Sequence, residues 1–155
     1  GNLQVKGHWI IESYYGKSEK ALSADGWFDT GDIATINEDG YLLLSDRAKD
    51  LIKSGGEWIS SVELENIAMN HPEIAMAAVI AANHPKWDER PVVIAIKQQG
   101  THITEQDLLD YYADKIAKWQ IPDKVIFVES IPLTGTGKML KRDLREQYGD
   151  VLLTE

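Results

Sequence analysis

The middle of the chain holds two long apolar runs, 74–82 and 91–98, and they decide the fold class. Both runs are rich in Ala, Val and Ile, and the polar segment 83–90 separates them. Apolar, β-branched runs of this length between turn-forming residues are typical of strands. We therefore expect two strands of one small sheet, joined by a turn over 83–90.

Helical patterns flank these two runs. Ser60-Ser61-Val62-Glu63 has the spacing of a capping box, in which a hydroxyl and a carboxylate satisfy free backbone amides, and apolar residues follow it on one face. Thr104 marks a second helix start. The predicted elements are helices at about 61–70, 104–116 and 141–147 and a further strand at 124–129. The fold class is therefore α+β, with a small β-sheet flanked by helices.

Residues 1–46 have a different pattern. They contain short β-like runs at 9–11, 33–36 and 41–44, and Asp39-Gly40 between the last two is a hairpin signal. The alternating apolar residues are too few to bury a core. We expect the β-rich end of a larger domain over 1–46, followed by a small α+β domain over 47–155.

Composition excludes several classes of function. The 155 residues carry a net charge of −9, which argues against a nucleic-acid surface because binding a polyanion needs clustered Lys and Arg. The absence of Cys excludes disulfides and thiolate nucleophiles, and it fits a reducing cytoplasm. The four His residues lack metal-ligand spacing, and no apolar run approaches the roughly 18 residues of a membrane span. Because the chain starts with neither Met nor a signal-peptide pattern, we expect a truncated or processed cytoplasmic protein.

Two of three polar, glycine-rich segments lie in the first sixty residues. In the segment 26–32, Asp32 ends a glycine turn and begins a strand, so its carboxylate could accept both hydroxyls of a ribose; stabilising the turn is the alternative role. The segment 46–60 runs from alternating charges into Gly55-Gly56, where the backbone could approach a ligand closely. A linker with solvated charges is the alternative there.

The third segment, 132–139, contains Gly135-Thr136-Gly137-Lys138. A P-loop requires Gly five residues before the glycine that precedes its Lys, and Ser or Thr after the Lys, whereas Pro132 and Met139 occupy these positions. A P-loop is therefore excluded. What remains is a mobile glycine loop that presents one lysine, whose ammonium could neutralise charge on a phosphate.

In their order along the chain, these segments resemble the C-terminal motifs of the adenylate-forming superfamily. That superfamily includes acyl-CoA synthetases, peptide-synthetase adenylation domains and firefly luciferase. The motifs are Gly-Trp-Phe-Asp-Thr-Gly-Asp at 26–32, Asp-Gly-Tyr at 39–41, Asp-Arg-Ala-Lys-Asp-Leu-Ile-Lys at 46–53 and Pro-Leu-Thr-Gly-Thr-Gly-Lys at 132–138, followed by Asp143-Leu144-Arg145. The resemblance implies a small C-terminal lid domain, preceded by the β-rich tail of a large N-terminal domain.

The resemblance also implies roles for single residues in an adenylation reaction. Asp32 would hold the ribose hydroxyls of ATP or the acyl-adenylate, and Arg47 would contact the ribose or phosphate. Lys138 would bridge the substrate carboxylate and the α-phosphate and would be the catalytic residue. ATP, Mg²⁺ and CoA are the expected substrates and ion, and no residue of this chain is expected to bind the metal.

A second group of residues would serve the transfer to CoA. Lys49 would be the hinge about which the small domain rotates, and Gly55 and Gly56 would lie beside the pantetheine tunnel. The segments 55–65 and 84–91 look most like those of medium- or long-chain fatty-acyl-CoA ligases. A domain that loads a carrier protein, and a non-catalytic interaction module derived from a ligase, remain the alternatives.

The large domain would supply the triphosphate loop, the acyl pocket and the magnesium ligand. We therefore expect this chain to fold without catalysing, with the missing N-terminal domain and small-molecule substrates as its partners.

Overall fold

The structure is a computed structural model, and it describes residues 1–153 of the chain. The chain divides into two compact units, Gly1–Lys49 and Asp50–Glu155. The boundary predicted from the pattern change lies three residues earlier, between 46 and 47. Each unit has a sheet of its own.

The first unit is a three-stranded antiparallel sheet in the order β1-β2-β3. Its strands are β1 (Asn2–Val5), β2 (Phe28–Ile36) and β3 (Leu42–Arg47). The predicted hairpin at Asp39-Gly40 is confirmed: Gly40 has φ +85°, and its N–H donates to the carbonyl of Asn37 at 3.0 Å. The strand predicted at 9–11 is wrong, because Ile10 donates to the carbonyl of Gly7 at 3.2 Å and the chain turns there.

Burial in the first unit is sparse. Over residues 1–49 the buried side chains are Ala34 and Asp46, whereas the apolar residues of β3 and its turn are exposed. The larger exposed ones are Ile36, Tyr41, Leu42, Leu43 and Leu44. Isolated exposed apolar residues are common, but a contiguous run of them is typical of a surface that another element covers.

The second unit is built on a five-stranded mixed sheet. Its strands are β4 (Ile52–Ser54), β5 (Glu57–Ile59), β6 (Ile74–His84), β7 (Asp88–Lys97) and β8 (Lys124–Phe127). The order is β5-β4-β7-β6, and β8 pairs with β7 in parallel. The helices described are α1 (Ser61–Met69), α2 (Glu105–Ala113) and α3 (Lys141–Tyr148), and a 3-10 turn lies at Lys118–Gln120. The predicted α+β class is thereby confirmed.

The central strands β6 and β7 supply two cores because successive side chains of a strand point to opposite faces. Val79 and Val93 contribute to a core that includes Leu64 of α1 and Leu108 of α2. Ile80, Val92 and Ile94 contribute to a second core with Leu144 of α3. Both faces of the sheet are covered, which explains why these strands are continuous apolar runs rather than alternating ones.

Hydroxyl side chains cap the N-termini of α1 and α2, at the residues predicted to start these helices. The hydroxyl of Ser60 accepts from the N–H of Glu63 at 3.2 Å, and Thr104 and Asp107 form a reciprocal capping box. Helix α2 ends at Ala113, so Ile116 lies beyond it although its spacing fits the helix. The turn expected over 83–90 is much shorter, because β6 and β7 stay paired as far as His84 and Asp88.

Candidate functional site

Asp32 and Arg47, predicted separately as nucleotide ligands, are direct cross-strand neighbours in the first unit. The pairing of β2 with β3 places them opposite each other, and Arg47 Nε donates to Asp32 Oδ1 at 2.9 Å. The Asp32 side chain is 26% exposed and that of Arg47 is 56% exposed. Both charged groups are therefore accessible, and the pair presents an acceptor and a donor on one surface.

The chain around this pair is held by local hydrogen bonds. Asp29 Oδ1 accepts from the N–H of Gly31 at 2.8 Å, and Gly31 has φ +72°, a conformation that side chains disfavour. Its carbonyl accepts from the N–H of Ala48 at 2.9 Å. The turn-stabilising role considered for Asp32 falls instead to Asp29, three residues earlier in the motif.

Lys49 is the last residue of the first unit, and it is exposed. Within residues 1–153 neither its backbone nor its side chain takes part in a hydrogen bond or an ion pair. The residue predicted as a hinge therefore lies in the connecting segment without a restraining hydrogen bond or ion pair among residues 1–153.

Gly55 and Gly56 form the two-residue turn of the β4–β5 hairpin. Their φ angles are +59° and +93°, as the mirror-image turns of tight hairpins require. The segment 46–60 is therefore not only a charged linker: from Ile52 to Ile59 it is part of the second unit's sheet.

The two glycines differ in what surrounds them. A β-carbon on Gly55 would lie 2.8 Å from Cε3 of Trp87, whereas one on Gly56 would meet no atom within 4 Å. The N–H of Gly55 also donates to the carbonyl of Trp87 at 2.8 Å. Gly55 is therefore covered by an indole that is itself partly exposed, and Gly56 is the open side of the turn.

Arg90 contacts this hairpin at the residue before its turn, and no sequence pattern predicted that contact. Its buried guanidinium donates to Asp123 Oδ1 at 2.7 Å and to the hydroxyl of Ser54, directly before the turn, at 3.0 Å. It also donates to the carbonyls of Trp119 and Ile121 at 2.6 and 2.8 Å. A cation with this many acceptors is a structural brace.

Lys138 lies on an exposed loop that is closed by its own hydrogen bonds. The N–H of Thr134 donates to the carbonyl of Lys138 at 2.7 Å, and the hydroxyl of Thr134 accepts from the N–H of Lys138 at 3.0 Å. Gly137 provides the turn with φ +81°. Among residues 1–153 the Lys138 ammonium has no hydrogen-bond or ion-pair partner, so its charge is presented outward.

The structure thus brings together Asp32 and Arg47 in one unit, and Gly55 with Gly56 in the other, where Lys138 occupies a separate loop. No three His, Asp or Glu side chains of residues 1–153 are grouped so that they could hold a metal ion, so none is assigned to Mg²⁺. None of the helices described is long and apolar enough to cross a membrane.

Part of the chain matches a known protein family. The family described as "AMP-binding enzyme C-terminal domain" matches residues 63–138, from the first turn of α1 to the loop lysine. This segment of the chain is a C-terminal domain of the AMP-binding enzyme type. In that domain Lys138 is the last matched residue, while Asp32, Arg47 and the glycine turn precede the matched segment.

Relatives of this AMP-binding domain are CoA ligases. The chain is 59% identical over 152 residues to a 3-methylmercaptopropionyl-CoA ligase of Ruegeria pomeroyi, and 58% identical over 153 residues to a medium-chain-fatty-acid–CoA ligase of Ectopseudomonas oleovorans. These alignments cover 98% and 99% of the chain but 28% of each relative. The chain therefore spans little more than a quarter of the length of the curated relatives it matches.

A solved structure agrees with the sequence relatives. The o-succinylbenzoate CoA synthetase of Bacillus subtilis, in complex with the acyl-adenylate intermediate OSB-AMP, superposes with a TM-score of 0.85 at 33% identity. The match covers 94% of this chain and 30% of that one. The adenylate-forming superfamily inferred from the motifs is thereby confirmed.

Proposed function

We propose that this chain is the C-terminal part of an ATP-dependent, AMP-forming fatty-acyl-CoA ligase. The observation that carries the proposal is Lys138, whose ammonium is presented without a partner among residues 1–153 on a loop fixed by hydrogen bonds. An unpaired, preorganised cation is suited to stabilise charge that gathers on a phosphate during reaction. The medium- and long-chain ligases among the relatives support an aliphatic carboxylic acid as the substrate.

The reaction would proceed in two half-reactions. The substrate carboxylate attacks the α-phosphorus of ATP, forming an acyl-adenylate and releasing pyrophosphate; the thiol of CoA then attacks the acyl carbon and displaces AMP. In the first step Lys138 would offset the negative charge of the carboxylate and the α-phosphate. Asp32 would accept hydrogen bonds from the ribose hydroxyls, and Arg47, already paired with Asp32, would orient that carboxylate and contact the nucleotide.

The second half-reaction would use another surface of the small unit. Rotation about Lys49 would move Lys138 away from the active site and move the β4–β5 turn toward it. The open face of Gly56 in that turn would leave room for the pantetheine chain. The triphosphate and acyl sites would belong to a large N-terminal domain. The exposed apolar residues of β3 support such a covering domain, and the 155-residue chain alone would be inactive.

Replacing Lys138 in the full-length ligase tests the proposal. Lys138→Ala should slow pyrophosphate release about 100-fold or more, since losing one preorganised donor costs roughly 3–4 kcal/mol of transition-state stabilisation. Thioester formation from preformed acyl-adenylate and CoA should stay near the wild-type rate. Lys17→Ala, a change at another exposed lysine, is the matched control. If both half-reactions fall together, or neither falls, the assignment of Lys138 is wrong.

A further inference from the structure

The connecting segment is anchored on both sides of Lys49. On the side of the first unit, the N–H of Ala48 donates to the carbonyl of Gly31 at 2.9 Å, and Arg47 is paired with Asp32. On the side of the second unit, the next residue is Asp50. Because Lys49 makes no hydrogen bond or ion pair within residues 1–153, it is a single free residue between two restrained ones.

The anchor on the second side is an ion pair between Asp50 and Arg145. Arg145 Nη1 donates to Asp50 Oδ1 at 2.7 Å, and the side chains of Arg145 and Asp50 are 26% and 11% exposed. A charge-assisted hydrogen bond this short and this sheltered from water fixes geometry far better than an exposed pair does. Arg145 lies on α3, whose neighbouring residue Leu144 is fully packed in the second core.

Helix α3 also continues directly from the Lys138 loop. The N–H of Leu140 donates to the carbonyl of Pro132 at 2.9 Å, which closes the base of the loop, and α3 begins at the next residue. That residue, Lys141, donates to Glu65 Oε1 at 2.7 Å. The helix that holds Asp50 is therefore the same helix that holds the end of the loop.

We propose that Asp50 and Arg145 are a positioning pair, which fixes the chain after Lys49 onto α3. Turning is thereby confined to Lys49, and α3 carries the Lys138 loop with it as one body. The inference rests on the proposed function for its catalytic consequence, but the restraint itself is a property of the fold. Arg145 acts through the orientation of Lys138 and of the glycine turn and touches no substrate.

Hydrogen exchange in the full-length protein tests the restraint without any substrate. Arg145→Gln should speed amide exchange over 50–53 by about tenfold or more, because this segment then opens without the rest of its unit. Arg142→Gln is the matched control, since Arg142 lies on the same helix with 74% of its side chain exposed. It should leave exchange over 50–53 within about twofold of wild type.

Asp50→Asn and the double variant show whether the two residues act as a pair or independently. If the pair is the restraint, Asp50→Asn should speed the same exchange, and adding Arg145→Gln should increase it little further. Unchanged exchange in either single variant, or effects that add fully, would overturn the proposal. Neither result depends on what reaction the protein catalyses.

The catalytic consequence is measured as the rates of the two half-reactions in the full-length ligase. Arg145→Gln should lower the rates of adenylation and of thioester formation by a similar factor, about fivefold or more, with KM for ATP and CoA nearly unchanged. Faster exchange with both rates unaffected would refute the positioning role. A wild-type protein that releases no pyrophosphate would refute the proposed function instead, while the exchange result would stand.

Discussion

Replacing Arg90 by Met should destabilise the second unit substantially. Met keeps most of the aliphatic stem but removes the guanidinium, which is buried and donates to Asp123, to Ser54 and to two backbone carbonyls. The variant would leave the Asp123 carboxylate with His84 Nε2 at 3.8 Å but without the guanidinium, and the carbonyls of Trp119 and Ile121 without this donor. Unpaired acceptors that stay sheltered from water cost free energy, whereas the lost hydrogen bonds alone would cost little.

The geometry sets the size of the effect. Breaking a buried ion pair by removing one partner costs about 3–5 kcal/mol. The Asp123 side chain is 26% exposed, so water can reach it, and the low end of that range, about 3 kcal/mol, applies. For a domain of this size such a loss corresponds to a fall in Tm of about 10–15 °C.

Urea unfolding of the chain, followed by circular dichroism, measures the loss directly. Asp123→Asn should cost less than Arg90→Met, about 1–2 kcal/mol, because the amide oxygen still accepts one hydrogen bond. The control Arg142→Met, at an exposed position of α3, should change the free energy of unfolding by no more than about 0.5 kcal/mol. A loss below about 1 kcal/mol for Arg90→Met would mean that the guanidinium is not the brace described, and the reasoning would fail.

Two further predictions concern a turn and a helix cap. Gly56→Ala and Gly56→Leu should both destabilise the fold by about 1–2 kcal/mol, because each places a side chain at φ +93°. Only Gly56→Leu should block thioester formation in the full-length ligase and let acyl-adenylate accumulate. An equal loss of thioester formation in both variants would mean that the altered backbone, and not the bulk of the side chain, causes the defect. The hydrogen bonds from the hydroxyl and then the N–H of Thr104 lower the pKa of Asp107, so the cap stabilises α2 above about pH 4 and weakens as the pH falls through the lowered pKa. Asp107→Asn should remove this part of the acid dependence, and an unchanged pH profile of unfolding would contradict it.

Local patterns were sufficient to predict most of the second unit. The runs that became β6 and β7 are buried on both faces, so their apolar character is continuous and easy to detect. Ser60 and Thr104 mark the starts of α1 and α2 because capping is a contact between residues three apart. The boundaries between strand and turn were less predictable, since the polar residues 83–84 and 88–90 stay paired although they look like loop.

The β4–β5 hairpin was missed although its signal is present. Gly55-Gly56 separates two three-residue runs that each contain an isoleucine, and a pair of glycines between short strands predicts a two-residue hairpin. The alternating charges of the segment made it look like a linker. Lys53 and Glu57 are exposed while Ile52 and Ile59 are buried, so the charges belong to the outer face of a strand pair.

The ion pairs of the second unit could not be predicted from the sequence at all. Arg145 and Asp50 are 95 residues apart, and Arg90 and Asp123 are 33 residues apart. Which of the 25 acidic side chains meets a given cation depends on strand register and helix placement, and these are known only once the fold is known. The Asp32–Arg47 pair differs from these two pairs, because the hairpin predicted at Asp39-Gly40 already makes β2 and β3 neighbouring strands.

The sheltered ion pairs of the second unit lie beside the segments for which we propose functional roles. Asp50 follows Lys49, the Arg90 cluster reaches Ser54 directly before the glycine turn, and Lys141 lies three residues after Lys138. Well-packed apolar residues commonly stabilise a fold as much as such pairs do, so stability alone does not account for this placement. Apolar contacts are non-directional, whereas a charge-assisted hydrogen bond fixes both distance and orientation. We infer that the pairs set the positions of these segments relative to the sheet, a restraint that the proposed use of two different surfaces would require more than it would require additional stability.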